Sequence, residues 1–201
     1  SQYSFTVIDE KTICYGLGAI KGVGESAIEI LVAERIENGE YKELFDFCKR
    51  VDLRKANRRV IDALIKSGSM DELGAGRSTL IHNLAKAISL AEQHSQNSTS
   101  GQDDMFGLSM DSQDDSTTSE TASLYELVAD WNDKERLTGE KETLGFYLKG
   151  HPINRYEDEL SGIISSHLNA YKLGSVTVAG YIMSIRTRTG SRGRMAEIRL
   201  D

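Results

Sequence analysis

Gly16-Leu17-Gly18-Ala19-Ile20-Lys21-Gly22-Val23-Gly24, running into Glu25-Ser26-Ala27-Ile28, is the stretch on which the reading of this 201-residue chain turns. Two glycines flank one apolar residue at 22–24. Leu17 and Ile20 stand before them and Ile28, Leu31 and Val32 after. That spacing predicts a short helix over Gly16–Ile20, a reversal within three residues, and a longer helix from about Glu25 to Glu37. Glycine permits the reversal, and without a Cβ it lets another group approach the backbone closely. Val23 tucks between the two helices. The second helix then presents unpaired N–H groups and a partial positive charge at its start, a place for a phosphate. Lys21 adds a cation beside the turn and Ser26 a hydroxyl donor.

This is the pattern of a helix-hairpin-helix. The same residues also serve as a plain tight turn that touches no ligand; the apolar spacing and Lys21 favour phosphate contact. The small residue of the second helix is Ala27, one place before its usual position. Gly16-Leu17-Gly18 does not combine with Gly22 into a dinucleotide fingerprint, since the spacing is wrong and no long buried strand precedes it.

On either side the chain reads as mainly α. Phe5–Ile8 and Thr12–Tyr15 are short β-prone runs around Asp9-Glu10-Lys11, a small hairpin. Asn38-Gly39 ends the long helix. Leu44, Phe47, Cys48 and Val51 recur at i, i+3, i+4, i+7, one helical stripe. Asn57 starts another helix with Val60, Ile61, Leu64 and Ile65 inward and Gly68 as its stop, and a further helix runs from about Arg77 to His94. Residues 1–94 therefore form a compact helical domain. Residues 95–123, rich in Ser, Thr, Gln and Asp, lack periodicity and form a flexible acidic linker. Residues 124–170 form a helical connector. It holds helical pattern at Leu124–Val128 and Asn132–Tyr147, core residues Trp131, Leu137, Leu144 and Phe146, and Asn154 as the cap of a short helix to Leu160. Residues 171–201 change to a period of two.

The formal net charge of −7 is unevenly placed. Residues 1–94 carry 13 Lys/Arg against 14 Asp/Glu, residues 95–130 none against 8, and residues 131–201 carry 11 against 9. The acidity sits in the linker, so the overall sign does not argue against an anionic partner. Arg54, Lys55, Arg58 and Arg59 form a second basic cluster at a helix start, a phosphate track or a solvated face. Cys14 and Cys48 are far apart and read as reduced, core-filling thiols. The four histidines are scattered, so neither a metal site nor a catalytic residue is expected. No apolar run has the length of a membrane span, and a cytoplasmic protein without a membrane partner is expected.

Within the linker, Gln102-Asp103-Asp104-Met105-Phe106 displays two large apolar residues in an acidic setting. Such a layout suits a peptide that docks into a partner's groove: two anchors, one orienting polar residue, loose flanks. Folding back onto the protein's own helices is the equal alternative. At the end of the chain, strands at Val176–Ile185 and Met195–Asp201 flank a Gly- and Arg-rich loop. Two strands are marginal alone, and a third would follow Asp201 in a longer protein.

Taken in order, Gly16–Gly24, Glu43-Leu-Phe-Asp46, Asn57-Arg-Arg-Val60, Lys66-Ser-Gly68, Gln102-Asp-Asp-Met-Phe-Gly107, Thr143-Leu-Gly-Phe-Tyr147 and Gly150-His-Pro-Ile153 resemble the bacterial replicative DNA polymerase III alpha-subunit family. The resemblance covers essentially the whole chain and lies C-terminal to the family's catalytic core. It implies a helix-hairpin-helix domain that grips duplex DNA behind the polymerase site. It also implies an internal sliding-clamp-binding peptide, with Gln102 orienting and Met105 and Phe106 in the clamp's pocket. The last segment resembles the start of an OB-type β-barrel, a five-stranded fold of which most is missing here, and single-stranded DNA is a possible further partner. Arg186, Arg188, Arg192 and Arg194 would line its first hairpin and contact phosphate or stand at a solvated tip. Other polymerase III holoenzyme subunits are implied partners. Magnesium belongs to the parent's palm carboxylates, which no segment here matches, so this segment is expected to bind no cofactor and to be inert alone.

A reading from another class remains: an interaction scaffold in which the glycine turn is structural and the linker peptide binds something other than a clamp. A nuclease or glycosylase is disfavoured, since no active-site setting follows the motif.

Overall fold

The computed structural model describes residues 2–100, 125–165, 174–191 and 193–201. These fall into two compact units, Ser1–Tyr147 and Leu148–Asp201. Gln102, Met105, Phe106 and Arg192 lie outside the described residues, as does most of the acidic linker.

The first unit opens with a two-residue pairing of β1 (Thr6–Val7) and β2 (Ile13–Cys14). A 3-10 turn, Leu17–Ala19, follows in place of the expected short helix. Gly16 and Gly18 are there for packing. The Leu17 and Gly18 N–H groups donate to the Gln2 and Tyr3 carbonyls at 2.9 and 3.0 Å, and a Cβ on Gly16 would lie 2.6 Å from main-chain atoms of Tyr3 and Ser4.

Four helices then build the core: α1 (Glu25–Asn38), α2 (Leu44–Arg50), α3 (Arg58–Lys66) and α4 (Arg77–Ser100). Each buries the stripe its spacing requires. Leu44, Phe47 and Cys48 of α2, Val60, Ile61, Leu64 and Ile65 of α3, and Leu80 and Leu84 of α4 join one cluster with Ile20, Val23, Ile28 and Leu31. Asn57 caps α3, its side-chain oxygen accepting from the Arg59 and Val60 N–H groups at 3.0 and 3.2 Å. Helix α4 continues past His94 to Ser100 because no Gly or Pro interrupts 77–100.

The chain from Tyr125 to Tyr147 belongs to the same compact unit as the four helices. Residues 125–132 are not helical. Asn83, 2% exposed, takes up both polar groups of the Glu126 main chain: its Nδ2 donates to the Glu126 carbonyl at 2.9 Å, and its Oδ1 accepts from the Glu126 N–H at 3.0 Å. Those groups are then lost to a helical ladder. The Tyr125 hydroxyl donates to Glu43 at 2.9 Å and accepts from the Leu44 N–H at 3.0 Å, sharing the cap of α2. Helix α5 (Asp133–Leu144) follows, opened by a capping box between Asn132 and Glu135. It buries Leu137, while Trp131 and Leu144 are half-buried and Phe146 is 38% exposed, a shallower set than expected.

A buried ionic cluster fastens α5. The Arg77 side chain is 6% exposed and Glu140 is fully buried; Nη1 of Arg77 lies 3.1 Å from Glu140 Oε1. The same guanidinium donates to both oxygens of Asp71 at 2.7 and 2.8 Å and to the Lys66 carbonyl at 3.3 Å.

In the second unit, His151 rather than Asn154 is the cap: its Nδ1 accepts from the Ile153 N–H at 3.2 Å, and Asn154 sits inside the 3-10 turn Pro152–Tyr156. The short helix α6 (Glu157–Leu160) continues it. Strands β3 (Ile182–Gly190) and β4 (Gly193–Leu200) form an antiparallel hairpin. Strand β3 starts later and reaches further than the alternation at Val176–Ile185 indicated, and β4 starts earlier than Met195 and ends at Leu200; Arg186, Arg188 and Arg194, expected around a loop, stand in the strands.

Arg77→Ala leaves Glu140 buried without its cation, and loss of about 3–5 kcal/mol of unfolding free energy is expected in urea denaturation. Burial pushes the Tyr41 phenol up to about 12 and raises that of Tyr125 as well. Above the ordinary phenol value of 10.0 the unfolded chain therefore loses protons that the folded chain keeps, so stability falls as pH rises toward about 12. Denaturation midpoints from about pH 9 to about pH 11 should drop, and Tyr125→Phe should flatten that drop while lowering the plateau.

Candidate nucleic-acid interface

The glycine turn is built largely by its own main chain. The Ile20 N–H donates to Leu17 at 3.1 Å and the Val23 N–H to Ile20 at 3.2 Å, closing two tight turns in succession. Gly22 has φ +88°, a conformation that L side chains rarely adopt. Ile20 and Val23 are buried, so the apolar residue between the glycines anchors the turn in the core.

Gly24 differs. It is the N-cap of α1 with φ −80° and ψ 155°, open to any residue, and a Cβ there would meet nothing within 4 Å. No side chain caps the helix. The N–H groups of Glu25 and Ser26 have no intrahelical acceptor by helix geometry, and both residues are exposed. An anion can reach this end of α1 along the backbone. Glu25, whose role the sequence reading passed over, sets its carboxylate in that first turn. It stabilises the helix through the dipole and repels an incoming phosphate.

Lys21 and Ser26 are exposed, as are Arg54, Lys55, Arg58 and Arg59. Arg54 is engaged with Asp52, Nε to Oδ1 at 3.1 Å. A Cβ on Gly22 would lie 4.0 Å from that of Ala63, so α3 passes beneath the turn. Arg59 stands one helical turn before Ala63 on the same face. The glycine turn and the second basic cluster thus share α3 as a common support, with Arg59 on the side of the turn.

The hairpin divides its arginines. Cross-strand pairs Ser184↔Arg199, Arg186↔Glu197 and Arg188↔Met195 share one face; Ile185↔Ile198, Thr187↔Ala196 and Thr189↔Arg194 share the other. Arg186 and Arg188 therefore stand with Arg199, which the sequence reading did not single out, and Arg194 points to the opposite side. Strand alternation carries the signal once the register is known. Arg188 pairs with Glu197 at 3.5 Å. The other face leaves Ile182, Ile185 and Ile198 more than half exposed.

Burial pushes the Cys48 thiol up to about 12, so it is neutral and unreactive. A cavity of about 90 Å³ lies among Leu17, Leu31, Tyr41, Phe47 and Met70, well below the roughly 300 Å³ where ligand pockets begin. Among the described residues no three His, Cys, Asp or Glu side chains gather where they could hold a metal ion. No helix of the described residues is long and apolar enough to cross a membrane.

Residues 1–80 match the family described as helix-hairpin-helix motif. The chain is 43% identical over 204 residues to the DNA polymerase III subunit alpha of Vibrio cholerae, covering 99% of the chain and 17% of that protein. It is 40% identical to the Escherichia coli subunit over 95% of the chain and 16% of that protein, and 38% identical to the Pseudomonas aeruginosa subunit over 100% and 18%. The chain is homologous to one segment of the bacterial DNA polymerase III alpha subunit. It spans about a sixth of the length of these relatives. The helix-hairpin-helix match falls on the glycine turn and the helices that support it, so the motif and the geometry coincide.

The two glycines of the turn should separate experimentally. Gly22→Ala forces a positive φ and should lower the unfolding free energy by about 1 kcal/mol. Gly24→Ser, a favoured capping residue in open space, should change it by less than about 0.5 kcal/mol. Urea denaturation of the two variants checks both values.

Proposed function

We propose that this chain is a non-catalytic DNA- and clamp-binding region of a bacterial replicative polymerase, supporting processive template-directed synthesis by the nucleotidyltransferase to which it belongs. The observation that carries the DNA half is Gly24. The fold has no need of glycine there, whereas a phosphate approaching the uncapped start of α1 does. Homology with DNA polymerase III alpha subunits over nearly the whole chain supports the same reading.

In this reading the Glu25 and Ser26 N–H groups and the Ser26 hydroxyl hold one duplex phosphate, with Lys21 beside it. Arg59, flanked by Arg58, Lys55 and Arg54, follows the backbone further along. Such contacts carry no base information, so binding is weak, sensitive to salt and indifferent to sequence. Arg186, Arg188 and Arg199 present a separate basic face to single-stranded or template phosphates; Arg192 and Arg194 are the remaining sequence candidates. Gln102, Met105 and Phe106 supply the sliding-clamp contact, with other holoenzyme subunits as further partners. Tethering to a clamp makes each rebinding to DNA intramolecular, so a weak grip suffices. The scaffold reading has one observation in its favour: the Lys21 main chain is bound to α5, as a purely structural turn would be.

Lys21→Glu should weaken binding to a duplex of arbitrary sequence at low salt, and Lys21→Ala should reduce the slope of log affinity against log salt by about 0.9. Fluorescence anisotropy at several salt concentrations reads both, and a Lys21→Glu protein that binds like the parent would overturn the assignment. Gly24→Ser should also bind duplex less tightly, because its hydroxyl competes for the same N–H groups. Titration of a bacterial sliding clamp should give binding that Met105→Ala/Phe106→Ala abolishes; equal affinity of both proteins would remove the clamp contact.

A further inference from the structure

The C-terminal end of α5 meets the glycine turn, and nothing in the sequence pattern indicated it. The Lys21 N–H donates to the Thr143 carbonyl at 2.8 Å. Thr143 is itself buried, its hydroxyl donating to the Gly139 carbonyl at 2.7 Å. One residue past the helix, Gly145 adopts φ +87° and ψ −3°, and its N–H returns to Lys141 at 3.1 Å. The Lys21 ammonium lies over this glycine: a Cβ on Gly145 would come within 3.7 Å of Nζ and 3.9 Å of Cε. The side chain thus crosses the end of α5 where helix carbonyls lack intrahelical donors and the dipole is negative, a setting that favours a cation.

We propose that Thr143 and Gly145 are positioning residues for the DNA contact of Lys21. Thr143 fixes the Lys21 main chain through its carbonyl. Gly145 leaves open the lane in which the Lys21 side chain lies, with its charge at the rim of the turn. Helix α5 is fixed in turn by the buried Arg77–Glu140 pair and by close packing of Gly139 on Lys66, where a Cβ would be 3.5 Å away. The segment from Tyr125 to Tyr147 therefore sets the geometry of a site more than a hundred residues earlier in sequence. This inference rests on the proposed duplex contact at Lys21.

A double-mutant cycle tests it. Gly145→Asn keeps a residue that tolerates the left-handed conformation while placing an amide in the lane of Lys21; Gly145→Ala is the smaller second variant. Each is made in the parent and in Lys21→Ala, and melting is followed to confirm folding. Duplex affinity is measured by anisotropy against a DNA of arbitrary sequence. Gly145→Asn should weaken binding roughly threefold or more in the parent, lower the salt slope, and have almost no effect in the Lys21→Ala background. Equal loss in both backgrounds would overturn the positioning role. So would unchanged binding by both Gly145 variants in the parent. If Lys21→Ala alone leaves affinity and salt slope unchanged, the duplex contact at Lys21 fails instead, and the positioning role fails with it.

Discussion

A guanidinium that is 6% exposed must be held by more than its charge, and Arg77 shows how. Desolvation of an ion costs several kcal/mol even after relaxation, and only close counterions with good geometry offset it. Arg77 has two carboxylates and a carbonyl around it. Asp71 is close in sequence, and Lys66 ends the preceding helix. Glu140 is sixty-three residues away and wholly buried. The cluster is stable only when all are present, so it commits α5 to the start of α4 and the end of α3. The remaining contacts of the 125–147 segment form on that foundation.

Those contacts are polar to an unusual degree. Tyr125 shares the cap of α2, Asn83 binds the Glu126 main chain as a neighbouring strand would, and Lys21 closes the end of α5. Apolar burial from this segment is modest, with Leu137 deepest. Hydrogen bonds contribute less net stability than apolar burial but define position more sharply. A segment held this way adds orientation to a helical core that already has its apolar stripes paired. The glycine turn receives that orientation through Thr143.

The helices were legible because burial follows spacing. Leu44, Phe47, Cys48 and Val51 all entered the core, as did the inward positions of α3, and Asn57 capped where expected. Of the candidate site, burial and exposure were legible. Val23 is buried between glycines as the motif requires, and Lys21 and Ser26 are exposed beside a free helix start. Legibility failed where one element's conformation depends on another. Leu124–Val128 carries a helical pattern, yet the Glu126 main chain is claimed by Asn83, a residue forty-three positions earlier. The hairpin arginines looked like one group because they crowd in sequence. Their sides follow from strand register, which separates Arg194 from Arg186 and Arg188 and adds Arg199.

By itself, then, the order of residues determined the helices α1 to α5, where Gly22-Val23-Gly24 reverses the chain, and which family the segment resembles. These depend on local periodicity and on glycine's allowed conformations, which act over a few residues, and on motif order, which is read directly along the chain. Tertiary structure alone decided that the unit extends to Tyr147, that α5 supports the glycine turn, and which arginines share a face. Each of these is a pairing between distant positions: Arg77 with Glu140, Lys21 with Thr143, Arg186 with Glu197. The geometry of such pairs is set by packing of the whole core, and no spacing along the chain encodes it.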